Sequence, residues 1–98
     1  MLKINTEKNG NTLVYKLDGE LDLISSKELS ESIKIDECDE LVFDCSNLSY
    51  LTSAGIRVLM ATDRDMKEKG GSMVVANINE AVKEVFELTG VDKLLTIK

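Results

Sequence analysis

Apolar and polar residues alternate with a period of two at the start of the chain, at Leu2 and Ile4 and again at Leu13, Tyr15 and Leu17. That period marks half-buried strands. Asn9-Gly10 between them is a hairpin signal. With these two at the tip, Lys8 pairs with Asn11, Thr6 with Leu13, Ile4 with Tyr15 and Leu2 with Leu17, so the apolar partners share a face. Gly19-Glu20-Leu21-Asp22 ends the second strand. A short helix is expected from Ser25, with Ser25 and Glu28 at capping-box spacing and Ile24 and Leu29 at staple spacing. Leu29 and Ile33 continue its buried stripe. The polar stretch Lys34 to Glu40 leads to Leu41-Val42-Phe43, an apolar run suited to a strand covered on both faces. Ser53 to Lys69 reads as the longest helix, apolar on most sides at first and charged later, stopped by Gly70-Gly71. Met73-Val74-Val75-Ala76 reads as a buried strand. Asn79 caps a third helix with Ala81, Val82, Val85 and Phe86 as its stripe and Gly90 at its end. Leu94-Leu95-Thr96-Ile97 is a last short strand.

The resulting order is β-β-α-β-α-β-α-β. An opening hairpin followed by strand–helix alternation predicts an α/β fold: a single domain over 1–98, with a mixed sheet, a parallel centre and helices packed on it. In such sheets functional loops gather at the C-terminal ends of parallel strands. The stretch from Asp44 to Ser53 is expected to be such a loop.

Charge and composition narrow the function. The net charge is −6 and the pI about 4.6, which argues against a nucleic-acid or anionic-membrane surface. No apolar run is long enough to span a bilayer, and the N-terminus lacks a signal-peptide core, so the expected location is cytoplasmic, without membrane insertion. Cys38 and Cys45 have no metal-like spacing and are expected as free thiols, Cys45 half-buried at a strand end. Histidine is absent. Without it, and without a Walker-type glycine loop or a paired-carboxylate site, no catalytic centre, metal site or cofactor is expected.

What remains is the set of hydroxyls where the longest helix begins. A serine there faces unpaired backbone N–H groups and the positive end of the helix dipole. It serves as a plain cap, and the position also tolerates a phosphate, the requirement for a reversible switch. Arg57 lies one turn on, at i+4, and can pair with a phosphate on Ser53. Asp44 either orders its loop by accepting backbone N–H bonds or positions Ser53. Asp22 either ends its strand or serves as a contact. Val58, Met60 and Ala61 extend the apolar character of the helix beyond one stripe, as an interface would.

These blocks resemble the STAS domain, in particular the bacterial anti-sigma-factor antagonists. The resemblance rests on Gly19-Glu20-Leu21-Asp22, on Asp44 with Leu48-Ser49-Tyr50-Leu51-Thr52-Ser53-Ala54-Gly55-Ile56, on Gly70-Gly71-Ser72-Met73-Val74-Val75, and on Asn79 through Gly90. It implies a non-enzymatic switch. The unphosphorylated antagonist binds an anti-sigma factor that is itself a serine kinase and so frees the sigma factor. Phosphorylation ends that binding, and a PP2C-type phosphatase resets it. The family serine falls on Ser53, with Thr52 the second candidate, and the family's acidic contact falls on Asp22. The implied partner surface comprises Asp22, Leu23, Asp44, Thr52, Ser53, Ala54, Gly55, Arg57 and Val58, on a monomer or weak dimer. The chain departs from many members in carrying Thr52 before the serine rather than an acid, and Ala54 after it rather than a second serine. The region between its first helix and third strand is shorter than usual, and it stops after Ile97 without a further helix. The alternative is a non-switching STAS subunit beside a lipid ABC transporter or in a stress-sensing complex, which would be indifferent to substitution of Ser53.

Overall fold

The computed structural model describes residues 1–98. Strands β1 (Leu2–Asn9) and β2 (Thr12–Leu21) form the opening hairpin; β3 (Glu40–Leu51) and β4 (Ser72–Ala76) complete a sheet in the order β1-β2-β3-β4. The β1–β2 pair is antiparallel and the β2–β3 and β3–β4 pairs are parallel. Helices α1 (Leu23–Ser32), α2 (Ser53–Glu68) and α3 (Glu80–Thr89) provide the connections and the C-terminal layer.

The hairpin register differs from the expected one by two residues. Ile4 faces Leu17, Thr6 faces Tyr15 and Asn9 faces Thr12, which puts Gly10-Asn11 at the tip. Gly10 has φ +61 while Asn11 stays out of the positive region. That matches a type II′ turn, which wants glycine first. A two-residue slip leaves every side chain on its original face, so the apolar pattern is equally content with either register.

Leu13, Tyr15 and Leu17 of β2, Leu41, Phe43 and Cys45 of β3, and Met73 and Val75 of β4 join Leu29, Leu59, Met66, Val82 and Phe86 from the helices in one core. Tyr15 anchors the end of α1: its hydroxyl donates to the Ser32 carbonyl at 3.1 Å and accepts from the Lys34 N–H at 2.9 Å. The opposite face of the sheet carries the aligned row Val14, Val42 and Val74. Val74 is the one buried apolar residue outside the core cluster, and Val14 and Val42 are half-buried. Strand β3 is therefore fully covered on one face only, contrary to the reading of Leu41-Val42-Phe43.

Four further expectations change. Strand β3 does not stop at Phe43 but runs twelve residues to Leu51, with two register shifts against β2. Cys45 is consequently buried in mid-strand rather than at a strand end, and desolvation pushes its thiol up to about 12. The expected last strand is reduced to one parallel bridge, Val75 to Ile97; Val91–Lys93 forms a short 3-10 turn before it. Both Val75 and Asn77 still bond to that tail, through Val75 N–H to Thr96 O at 2.9 Å, Lys98 N–H to Val75 O at 3.0 Å and Asn77 N–H to Lys98 O at 3.2 Å. In α3, Asn79 caps as expected, accepting from the Val82 N–H at 2.8 Å, whereas Ala81 is exposed and leaves the stripe to Val82, Phe86 and half-buried Val85.

Candidate functional site

Two chain reversals meet at one end of the sheet, where β2 passes into α1 and β3 into α2. They are tied by the backbone: Thr52 N–H donates to Leu21 O at 3.0 Å. The Thr52 hydroxyl donates to the same carbonyl at 3.3 Å. Gly55 packs onto Leu21 so closely that a Cβ there would stand 2.8 Å from Leu21 Cγ and Cδ2 and 3.1 Å from its carbonyl oxygen. The absence of a side chain at Gly55 is what lets the two helix starts share one surface.

On the β2 side, the first helix begins three residues earlier than expected. Asp22 is its N-cap, accepting from Ser25 N–H at 3.0 Å, and Ser25 Oγ accepts from Asp22 N–H at 2.9 Å. Ser25 is thus the inner half of a reciprocal box, buried, with its hydroxyl donating to Glu20 O at 2.8 Å. The Ser25 N–H bond, joined by the Ser25 hydroxyl, holds the Asp22 carboxyl below the ordinary carboxylate value. Starting the helix at Leu23 turns Leu23 and Ile24 outward, 73% and 74% exposed. Ile24 therefore makes no staple with Leu29.

On the β3 side, Thr52 is the N-cap of α2 by backbone position and Ser53 is the first helical residue. The Thr52 hydroxyl is engaged with Leu21, so no side chain caps α2, and its first turn carries no acidic residue. The opening amides of this helix are left as donors at the positive end of the dipole. Ser53 is exposed at that end. Ala54 is half-buried beside it. Arg57, one turn further, is exposed and forms no ion pair.

The structure thus brings together Asp22, Leu23, Thr52, Ser53, Ala54, Gly55 and Arg57. Val58 is turned away from the Ser53 side of the helix and packs partly against the core. Asp44 also stands apart, because the stretch expected to be a loop is strand. Six residues of β3 separate Asp44 from Leu51, on the order of 20 Å of extended chain. Its carboxylate accepts from Ser46 N–H and from Asn77 Nδ2, both at 3.1 Å. Burial raises its pKa, and these bonds, together with the Ser46 hydroxyl and the charge of Lys16, outweigh burial and leave it lowered. Asp44 ties β3 to the turn after β4 and does not position Ser53. Two residues that sequence reasoning missed belong here: Ile24, and Tyr50 at the end of β3, 53% exposed. The one signal for Ile24 was Asp22 as a competing cap, which moves the helix start and turns Ile24 outward.

The chain matches the STAS domain family over residues 3–98. It is a STAS domain. The Anti-sigma F factor antagonist of Paenibacillus polymyxa is 29% identical over 100 residues, spanning 98% of this chain and 86% of that protein. Among solved structures, the anti-sigma factor antagonist SpoIIAA in its unphosphorylated form superposes with a TM-score of 0.84 at 21% identity, covering 98% of this chain and 88% of that one. The phosphorylated form of the Bacillus cell fate determinant SpoIIAA gives 0.75 at 19% identity, covering 98% and 91%. At those identities the structural likeness establishes the fold, and the STAS elements frame the Ser53 surface.

Proposed function

We propose that this STAS domain is an anti-sigma-factor antagonist, a protein-binding switch thrown by phosphorylation of Ser53. The observation that carries the reading is Ser53 itself: an exposed hydroxyl at the start of a helix whose amide donors no side chain caps, with unpaired Arg57 one turn on. A phosphate there gains helix-dipole and guanidinium partners within the chain, so both charge states are tolerated by the fold. The same dianion is repelled or desolvated at cost by a closely packed partner. Leu23 and Ile24 supply the exposed apolar ground for that partner beside the switch. The unphosphorylated form binds an anti-sigma factor that is a serine kinase, freeing its sigma factor; the kinase phosphorylates Ser53, and a PP2C-type phosphatase restores the hydroxyl. The names carried by the relatives support this assignment.

The test is the intact mass of the protein from its native cells, beside a Ser53→Ala version. One phosphate adduct is expected in the first and none in the second. An adduct persisting in Ser53→Ala moves the site to Thr52. Ser53→Asp is expected to lose most of its affinity for the kinase, and unchanged affinity would refute a charge-operated switch.

A further inference from the structure

We propose that the face of α2 between Arg57 and Arg64 receives an acidic, aliphatic segment of the protein partner, and that phosphate on Ser53 regulates this docking by taking Arg57 for itself. The inference rests on the reading of this chain as a partner-binding switch and names the surface and the residue through which the switch acts.

Arg57 and Arg64 are the only arginines in a chain of net charge −6. They lie seven residues apart on α2, two turns or roughly 10 Å along the axis. Between them Met60 and Ala61, both half-buried, floor a shallow open groove lined by these four residues alone. The guanidinium groups are uncommitted. Arg57 forms no ion pair, and Arg64 has only a solvent-exposed contact of 3.7 Å from Nε to its neighbour Asp65, which contributes little. Lys67, next along the same side, is already neutralised by Asp63 at 2.9 Å. Two free planar forks over an apolar floor match two carboxylates held in bidentate geometry around one aliphatic side chain. Methionine adapts its shape to such a side chain. The net negative charge of the molecule opposes a polyanion on this face and leaves a protein segment with discrete carboxylates as the occupant.

Ser53, Arg57, Met60 and Arg64 follow one another at i, i+4, i+7 and i+11, on one side of the helix. A group on Ser53 is therefore within reach of Arg57 and out of reach of Arg64. A phosphate carries about −1.5 to −2 charge and three acceptor oxygens, and sits one turn away on the same rigid element. It competes for Arg57 against a carboxylate that must be brought from another molecule. Phosphorylation removes one of two anchors without reshaping the groove.

The experiment is calorimetric titration of the anti-sigma factor kinase into the full chain as wild type, Arg57→Gln and Arg64→Gln, each with serine and with phosphoserine at position 53. In the unmodified protein each Gln substitution is expected to raise Kd about tenfold, the loss of a charge-assisted hydrogen bond. In the phosphorylated protein Arg57→Gln adds no further loss while Arg64→Gln still does. Phosphorus NMR of the same phosphoproteins gives a partner-free readout: the second ionisation of the phosphate falls at lower pH in wild type and Arg64→Gln than in Arg57→Gln. Both Gln variants binding within about twofold of wild type, with Ser53→Asp still losing most of its affinity, overturns the groove and leaves the switch standing. Equal phosphorus midpoints overturn the role of Arg57. A wild type that does not bind the kinase overturns the proposed function and this inference together.

Discussion

At the scale of single residues, Gly55 carries more of this site than its size suggests. Alanine in place of glycine within a helix is favoured by about 1 kcal/mol. Forcing a methyl into a filled space costs about 1–3 kcal/mol. Here the new methyl meets the buried Leu21 side chain at 2.8 Å and its backbone oxygen at 3.1 Å, so overpacking wins. Gly55→Ala is expected to lower the urea midpoint by a net loss of about 1 kcal/mol, with an unchanged slope. An unchanged or higher midpoint would show that Leu21 yields freely. Because Leu21 also accepts both Thr52 bonds, the same substitution should disturb the setting of Ser53. Thr52 and Ser53 divide between them what one residue does in many helices: Thr52 fastens the turn, and Ser53 stays free to be modified.

At the scale of elements, the start of α1 gives a prediction with a definite sign. The Asp22 carboxyl titrates below its ordinary value near 3.8 in the folded protein. Its contribution to stability is therefore complete above that ordinary value and is lost as pH falls through the lower, folded-state value. Asp22→Asn keeps a side-chain acceptor at the cap and cannot titrate. Its unfolding midpoint is expected to fall less steeply with acid than that of the wild type, and identical slopes would refute the contribution. Asp44, also lowered, supplies a remaining slope in both proteins. The same cap shows what the sequence could and could not disclose. Asp22 and Ser25 are both good capping residues three apart, and in a reciprocal box each looks like the N-cap, so the helix start was misplaced and Ile24 with it. Strand β3 was legible where its ladder is regular. Beyond Cys45 the two register shifts move its inward residues to Leu48 and Leu51, three apart, which breaks the period of two by which a strand is read. It reads as loop, which sets Asp44 in the expected partner surface beside Ser53; of the two roles open to Asp44, accepting a backbone N–H is the one the structure shows, from Ser46. Ser53, Thr52 and Asp22 stand in local motifs the sequence shows and Leu23 came only with the resemblance, whereas the exposure of Tyr50 follows only from how β3 meets β2.

At the scale of the whole molecule, the chain contains no proline. The unfolded ensemble therefore holds no slowly exchanging X-Pro isomers. Refolding from urea is expected to finish without a phase of tens of seconds, and such a phase in stopped-flow fluorescence of Tyr15 and Tyr50, independent of protein concentration, would contradict this. The sheet has two edges, and they are guarded differently. Strand β1 carries Lys3, Glu7 and Lys8 along its length, charges that discourage a neighbouring strand. Strand β4 reads Ser-Met-Val-Val-Ala, with no charge and no proline, the composition that seeds cross-β stacking when left open. What stands over it is the tail, held by three backbone bonds at Val75 and Asn77. Thr96, Ile97 and Lys98 thus occupy, at Val75, the edge groups that an added strand would need: a stretch too short to count as a strand takes the place where cross-β growth would start.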